Sequence, residues 1–504
     1  MGPSLSLPVS EFPLRDLPVI GWSARRKTLF PALRCVSHPL KTPDVPKGMK
    51  LTSLQPQAPA SLSSGRKIFN AAVSVAVCSA IAGLASTAKE LVVARWFGRG
   101  DALDAFLIAF LLPSFLVNLV AGSFNSAFIP TFIQVRETEG KEAAQRLFSG
   151  VMVISLGLLV GVSILVGLLA PYFLPLLGSG FGPAKLMLTR RLLYALLPFI
   201  ALSGLAVNWV AVLNAGEYFG LPALSAIMTP LSAMTFILLL GRQWGIFALA
   251  AGTVTGVALQ GALLAWMLRR RDIQLALRWY GLNPALRQVI GQYAPMIAGA
   301  LLMGSTELVD QTMAAMLEPG SVAALNYARK MVTVFIVVGA TPLGTAALPY
   351  FSQMVARHDW DGCRRILRSY VRSIALVTIP ITLAVVFLSH QLIGILFQRG
   401  AFTAADTKVV GRVLAFLALQ IPFYLAAQLG VRFISALKKN SVLMVISAVN
   451  MVLNVVFNLI LMTYWGVAGI ALSTSFVYMV ACGLVYASIA RSFKSQQAIE
   501  GASE

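Results

Sequence analysis

From Ile68 to Ala490 the chain repeats apolar stretches of about 20 residues or more, separated by short polar or basic connections. A backbone that crosses hydrocarbon must satisfy its own hydrogen bonds, which leaves helices or closed barrels. These runs are too long and too uniformly apolar for alternating barrel strands. The expected fold is all-α, a polytopic membrane protein of about twelve transmembrane helices in two six-helix halves around a central cavity. Its expected helices run from Ile68–Val93 and Ala102–Ser123, through Val289–Leu317 and Val322–Phe351, to Val467–Ile489. Composition agrees, since 58% hydrophobic residues, 12% charged residues and a mean hydropathy of +0.79 exclude a water-soluble globular protein.

A formal net charge of +21 would point to nucleic acid in a soluble protein. Here the cations fall in short connections, beside lipid headgroups, so no nucleic-acid partner is expected. Arg66-Lys67, Arg136, Arg269-Arg270-Arg271, Arg364-Arg365, Lys438-Lys439 and Arg491 flank the bundle or occupy even-numbered connections. The cytoplasmic bias of such residues places both termini in the cytoplasm. Arg95, Arg99 and Lys185 lie on the other side, and the connection around Glu217 is silent.

The organisation expected is a disordered tail over residues 1–67, a six-helix half over 68–271, a cytoplasmic linker over 272–287, a second half over 288–493 and a short tail over 494–504. Prolines and serines crowd the first segment, and no apolar run there reaches signal-peptide length. Met49 is a candidate translation start. The cysteines Cys35, Cys78, Cys363 and Cys482 form no CxxC pair, and His38, His358 and His390 build no HExxH motif, so neither a disulfide framework nor a metal site is indicated. No cofactor is expected. A membrane glycosyltransferase or polymerase would need a DxD-type metal site or a sizeable loop, and neither is present, so the protein is read as a transporter and not an enzyme.

An internal repeat supports that reading. Ala127-Phe128-Ile129-Pro130-Thr131-Phe132 matches Ala346-Ala347-Leu348-Pro349-Tyr350-Phe351, Leu197-Pro198-Phe199 matches Ile421-Pro422-Phe423, and Trp244-Gly245-Ile246 matches Trp465-Gly466-Val467, all at an offset of about 220 residues. An even number of helices per half makes the repeats parallel, with substrate expected between them.

Charges inside the apolar runs are costly, about 2.5 to 3.5 kcal/mol each at the bilayer centre, so they mark wet cavities or partners. The candidates are Lys89 and Glu90, Glu307 and Asp310, and Arg329 and Lys330, with Arg432 near a helix end. Glu90 and Asp310 correspond in the repeat. Glu307 and Asp310, three apart, share a helix face and could hold a proton or cation as a coupling site. Interhelical ion pairs joining the halves are the competing reading. Asn450, Asn454 and Asn458 form a polar stripe expected to hydrogen-bond a neighbouring helix.

The stretch Lys89-Glu90-Leu91-Val92-Val93-Ala94-Arg95-Trp96-Phe97-Gly98, with Gly100, Asp104-Ala105-Phe106, Pro113 and Ala127-Phe128-Ile129-Pro130, resembles the opening helices of the MurJ/MviN lipid II flippases. Val309-Asp310, Gly320-Ser321-Val322 and Leu325-Asn326-Tyr327-Ala328-Arg329 extend the resemblance, which spans about Ile68 to Phe493 and lies within the multidrug/oligosaccharidyl-lipid/polysaccharide exporter superfamily. It implies a flippase of the bacterial cytoplasmic membrane that turns an undecaprenyl-pyrophosphate-linked sugar outward for peptidoglycan synthesis. Lys89, Arg329 and Lys330 would then grip the pyrophosphate, Glu90 and Asp310 would orient it or gate, and Arg95 and Asp104 would be gating or structural. The partners implied are the polyprenyl-pyrophosphate-linked glycan and membrane lipids. Some features depart from the family: Lys89-Glu90 replaces its Arg-Asp pair, an arginine is missing around Gly83, and Phe115-Leu116-Val117-Asn118 replaces an arginine-rich turn. A flippase for another lipid-linked oligosaccharide is the alternative, and a cation-coupled multidrug exporter a weaker one.

Overall fold

The computed structural model describes residues 62–503 except 217, 272, 274 and 276. The expected tail up to residue 61, with the Met49 candidate start, lies outside them. Among the described residues the regular structure is helical throughout. The first half comprises α1 (Leu62–Phe97), α2 (Asp101–Val117), α3 (Ser123–Thr138), α4 (Lys141–Leu177), α5 (Pro183–Ala215), α6 (Gly220–Ser225), α7 (Met228–Trp244) and α8 (Ile246–Arg269). The second comprises α9 (Pro284–Ala315), α10 (Ser321–Ala356), α11 (Trp360–Phe397), α12 (Ala404–Ala418), α13 (Gln420–Ala436), α14 (Asn440–Trp465) and α15 (Val467–Ser503).

Three crossings are each built from two helices: α2 with α3, α6 with α7, and α12 with α13. Ten helical segments are long and apolar enough to span a membrane. The long helices α9 and α10, which carry Glu307, Asp310, Arg329 and Lys330, are not among those ten, so ten of the twelve expected crossings are matched among the described residues. Helices overrun the apolar cores because polar turns continue them beyond the hydrocarbon. The second crossing, expected over Ala102–Ser123, continues through α3 to Thr138, and residues 62–67, expected in the tail, are helical. A π-helical turn at Asn118–Gly122 joins α2 to α3, and the Tyr293 hydroxyl of α9 donates to the Val120 carbonyl there at 3.1 Å.

The repeat is visible in the backbone. Gly245 joins α7 to α8 with φ 54° and ψ −133°, and Gly466 joins α14 to α15 with φ 55° and ψ −135°. Within the halves, α1 packs on α7 as α9 packs on α14, and α7 on α8 as α14 on α15. Between the halves α9 leans across the seam. Leu286 and Val289 at its start are buried with Phe128, Leu147 and Leu264 of the first half, while its far end belongs to the second.

Candidate functional site

At the end of the bundle that carries the α1–α2 turn, the two halves are locked together. Helix α10 begins at Gly320 with no side-chain cap of its own. Asp104, in the first turn of α2, supplies one from the opposite half: its carboxylate accepts the Gly320 N–H at 2.6 Å and the Ala323 N–H at 2.8 Å. An anion at a helix N-terminus satisfies orphan donors and meets the positive end of the helix dipole. Lys185, at the start of α5, bonds Asp104 at 3.0 Å and Asp101 at 2.6 Å and lies over the Phe181 ring.

Arg99 donates from Nε to Asp406 at 3.1 Å, and Asp406 is itself fixed by a capping box with Thr403 at the start of α12. The Tyr327 hydroxyl donates to the Gly98 carbonyl at 3.0 Å, and the Ala401 N–H to the Arg95 carbonyl at 2.9 Å. The Arg95 side chain is exposed, so the residue enters the seam through its backbone. Gly98, at φ 56°, and Gly320, at φ 83°, make the approach possible. A Cβ on Gly98 would strike the Ala401 carbonyl, and one on Gly320 the Arg99 carbonyl.

The charged residues within the crossings divide into two groups. On α1, Lys89 pairs with its neighbour Glu90 at 2.9 Å, with Glu90 buried and Lys89 partly exposed. Lys330 is exposed on α10, within electrostatic range of Glu90, and makes no ion pair or hydrogen bond among the described residues. Lys89 and Lys330 sit eight to nine residues from the locked end, about 12 to 14 Å in.

On the other side Asp310 is buried at 1% exposure and accepts from three helices: Arg329 Nη2 at 3.0 Å, Asn454 Nδ2 at 2.9 Å, Asn458 Nδ2 at 2.8 Å and Thr474 Oγ1 at 3.2 Å. Arg329 also reaches the exposed Glu307 at 3.0 Å, and so stands between the two acids. Asn454 and Asn458 of the asparagine stripe bond the neighbouring helix α9 as expected, whereas the Asn450 Oδ1 is buried without a hydrogen-bond partner. The Oδ1 atoms of Asn454 and Asn458 are buried without a hydrogen-bond partner.

Asp406 and Thr474 were not singled out from the sequence, and Lys185, Arg99 and Tyr327 were given no site role. Lys185 and Arg99 did show as cations on the cation-poor side, and the pairing explains them: both charges are held by carboxylates of the seam. Among the described residues no cluster of three His, Cys, Asp or Glu side chains could hold a metal.

Two similar helical bundles in one chain, latched at one end and carrying charged side chains on their long helices, define a polytopic helical membrane protein. Solved structures agree on the fold. A lipid II flippase MurJ in an inward closed conformation aligns with TM-score 0.73 at 20% identity, covering 83% of this chain and 87% of that one. An inward-facing multidrug resistance MATE family transporter of the MOP superfamily aligns with TM-score 0.68 at 14% identity, covering 84% and 99%. The family model for lipid II flippase MurJ matches residues 93–502, and the chain belongs to that family. A probable lipid II flippase MurJ from Synechocystis sp. is 28% identical over 82% of this chain and 79% of its own length, and one from Rickettsia prowazekii is 23% identical over 85% of each.

Proposed function

We propose that this chain flips lipid II, the undecaprenyl-pyrophosphate-linked precursor of peptidoglycan, from the inner to the outer leaflet of a bacterial cytoplasmic membrane, with both termini cytoplasmic. The observation that carries the reading is the state of the charges. Asp310 and Glu90 are buried and already paired, whereas Lys330 is exposed and unpaired at the depth of the partly exposed Lys89 on the opposite half. Positive charge left over between two bundles suits a diphosphate, which takes charge-assisted hydrogen bonds from ammonium groups. Arg329 joins them by leaving Glu307, and Glu90 and Asp310 orient the cations. The Asp104 cap on α10 and the Arg95 carbonyl form the outer gate, which opens when α10 parts from α2.

Rescue of cells depleted of their lipid II flippase tests this. The wild-type chain is expected to rescue, and Lys330→Gln and Lys89→Gln to fail while still inserting in the membrane. Rescue by both variants would overturn the diphosphate assignment. Failure of the wild-type chain would favour another lipid-linked oligosaccharide, the reading that the missing arginine at the exposed, unobstructed Gly83 supports.

The same proposal gives Glu307 and Asp310 a coupling role. Once Arg329 leaves, Asp310, the free Oδ1 atoms of Asn454 and Asn458 and the Thr474 hydroxyl make an oxygen-lined nest for a hard cation or a proton. Transport that responds to an imposed ion gradient in the wild type and equally in Asp310→Asn would refute it.

A further inference from the structure

At the bundle end opposite the α1–α2 turn, α11 carries a groove of about 760 Å³ lined by Asp361, Arg364, Arg365, Arg368, Ser369 and Arg372. The four arginines make no ion pair or hydrogen bond among the described residues; Arg364 alone is engaged, packing its guanidinium 4.8 Å over the Phe493 ring. Four cations thus stand against the single carboxylate of Asp361.

Their alignment is the second observation. Arg365, Arg368 and Arg372 are spaced three and four apart on one helix face, and Leu376, Ile379, Leu383 and Phe387 continue the same stripe, all of them exposed. From Leu376 to Phe387 the apolar part runs about 16 Å, close to the roughly 15 Å of one leaflet. Cationic bias at one membrane face explains arginines at this end. It does not explain why the arginines of one concave groove stand in register with an exposed apolar stripe that leaves the groove at Leu376 on the same helix face.

We propose that this face of α11 is a binding site for an anionic phospholipid of the surrounding leaflet, with its phosphate among Arg365, Arg368 and Arg372 and an acyl chain along Leu376, Ile379, Leu383 and Phe387. A phosphodiester supplies the negative charge the arginines lack, and the tether to a chain accounts for the apolar continuation. The site is distinct from the Lys89–Lys330 region and stands whether or not the chain flips lipid II.

The test is native mass spectrometry of the full chain released from membranes of defined composition. Phosphatidylglycerol is expected to be retained over phosphatidylcholine at equal mole fraction. Retention is expected to fall about five-fold for each arginine removed, and about a hundred-fold in R365Q/R368Q/R372Q. The K438Q/K439Q variant, which removes two cations from another connection at the same end, is expected to retain phosphatidylglycerol as the wild type does. Equal loss in both variants, or equal retention of the two lipids by the wild type, would overturn the site. Displacement of phosphatidylglycerol by millimolar inorganic phosphate would reduce it to a general anion site, and displacement by equimolar undecaprenyl diphosphate would assign it to a polyprenyl carrier; either result rejects the proposal. If the triple variant does not purify, single R365Q and R368Q variants read the same per-arginine loss.

Discussion

Glu90 and Asp310 occupy corresponding places in the two halves, and both are buried, but their surroundings differ. Asp310 is held by donors from α10, α14 and α15, whereas the ion pair of Glu90 is with Lys89 of its own helix. The repeat shows why. At the offset relating Trp244-Gly245 to Trp465-Gly466, Thr474 corresponds to Thr253, but Asn454 and Asn458 correspond to Ala233 and Ile237, both fully buried. Thr253 donates its hydroxyl to the Leu249 carbonyl of its own helix, and Thr474 shares its own between the Ile470 carbonyl and Asp310. Duplication preserved the position of the acid and the threonine, while only the second half has the asparagines that turn a buried carboxylate into a cross-helix anchor. The first half is thereby left with a local, adjustable pair, suited to a group that meets substrate.

The largest effect that would break this contrast is at Asp310. Replacing it by alanine leaves Arg329 with Glu307 alone and strands the Asn454 and Asn458 amides in the interior, with an expected cost of about 3 kcal/mol, the low end for a broken buried pair. The melting temperature of the purified protein should fall furthest in this variant, and a fall no larger than that of any Glu90 variant would remove the distinction. Next is N454A/N458A. Interhelical hydrogen bonds in membranes average about 0.6 and reach about 1.7 kcal/mol, so the double change should cost about 1 to 3 kcal/mol. Glu90→Gln should cost about 1 kcal/mol, because Lys89 retains some contact with water. That variant should instead show its effect in rescue of flippase-depleted cells.

How far the sequence discloses this can be judged from the same residues. Hydropathy marks twelve apolar runs, ten of them helices long and apolar enough to span a membrane among the described residues, because lipid imposes one length and one polarity on each, and insertion cost picks out Glu90, Asp310, Arg329 and Lys330 without any structure. The sequence does not disclose partner choice. Nothing in the spacing of Asp104 says that it caps a helix of the other half, since the carboxylate and the Gly320 N–H are 216 residues apart. Lys185 and Arg99 gave a usable signal, cations on the side where cations are scarce. Reading them as the mates of buried acids needs only the rule that such charges are not left unpaired. The exchange of Asn454 and Asn458 for Ala233 and Ile237 was also present in the repeat, but it acquires meaning only once α14 is seen to face α9.

The smallest expected difference, none at all between two paired variants, sharpens the comparison from the opposite direction, at a place where the halves should be equal. Gly245 and Gly466 share φ near 55° and ψ near −134°, values essentially closed to residues with a Cβ. Neither has an atom within 4 Å of where a Cβ would stand, so substitution meets backbone strain alone and no steric clash. Alanine at either position should therefore cost the same, about 1 to 3 kcal/mol if the strained backbone is kept and toward the lower figure as the open surroundings let it relax. Paired melting curves of G245A and G466A in one detergent check this. Equal shifts would show that the repeat is energetically symmetric in its α7–α8 and α14–α15 hairpins, so that the asymmetry of Glu90 and Asp310 belongs to the side chains around the acids. Unequal shifts would place part of that asymmetry in the hairpin backbones themselves.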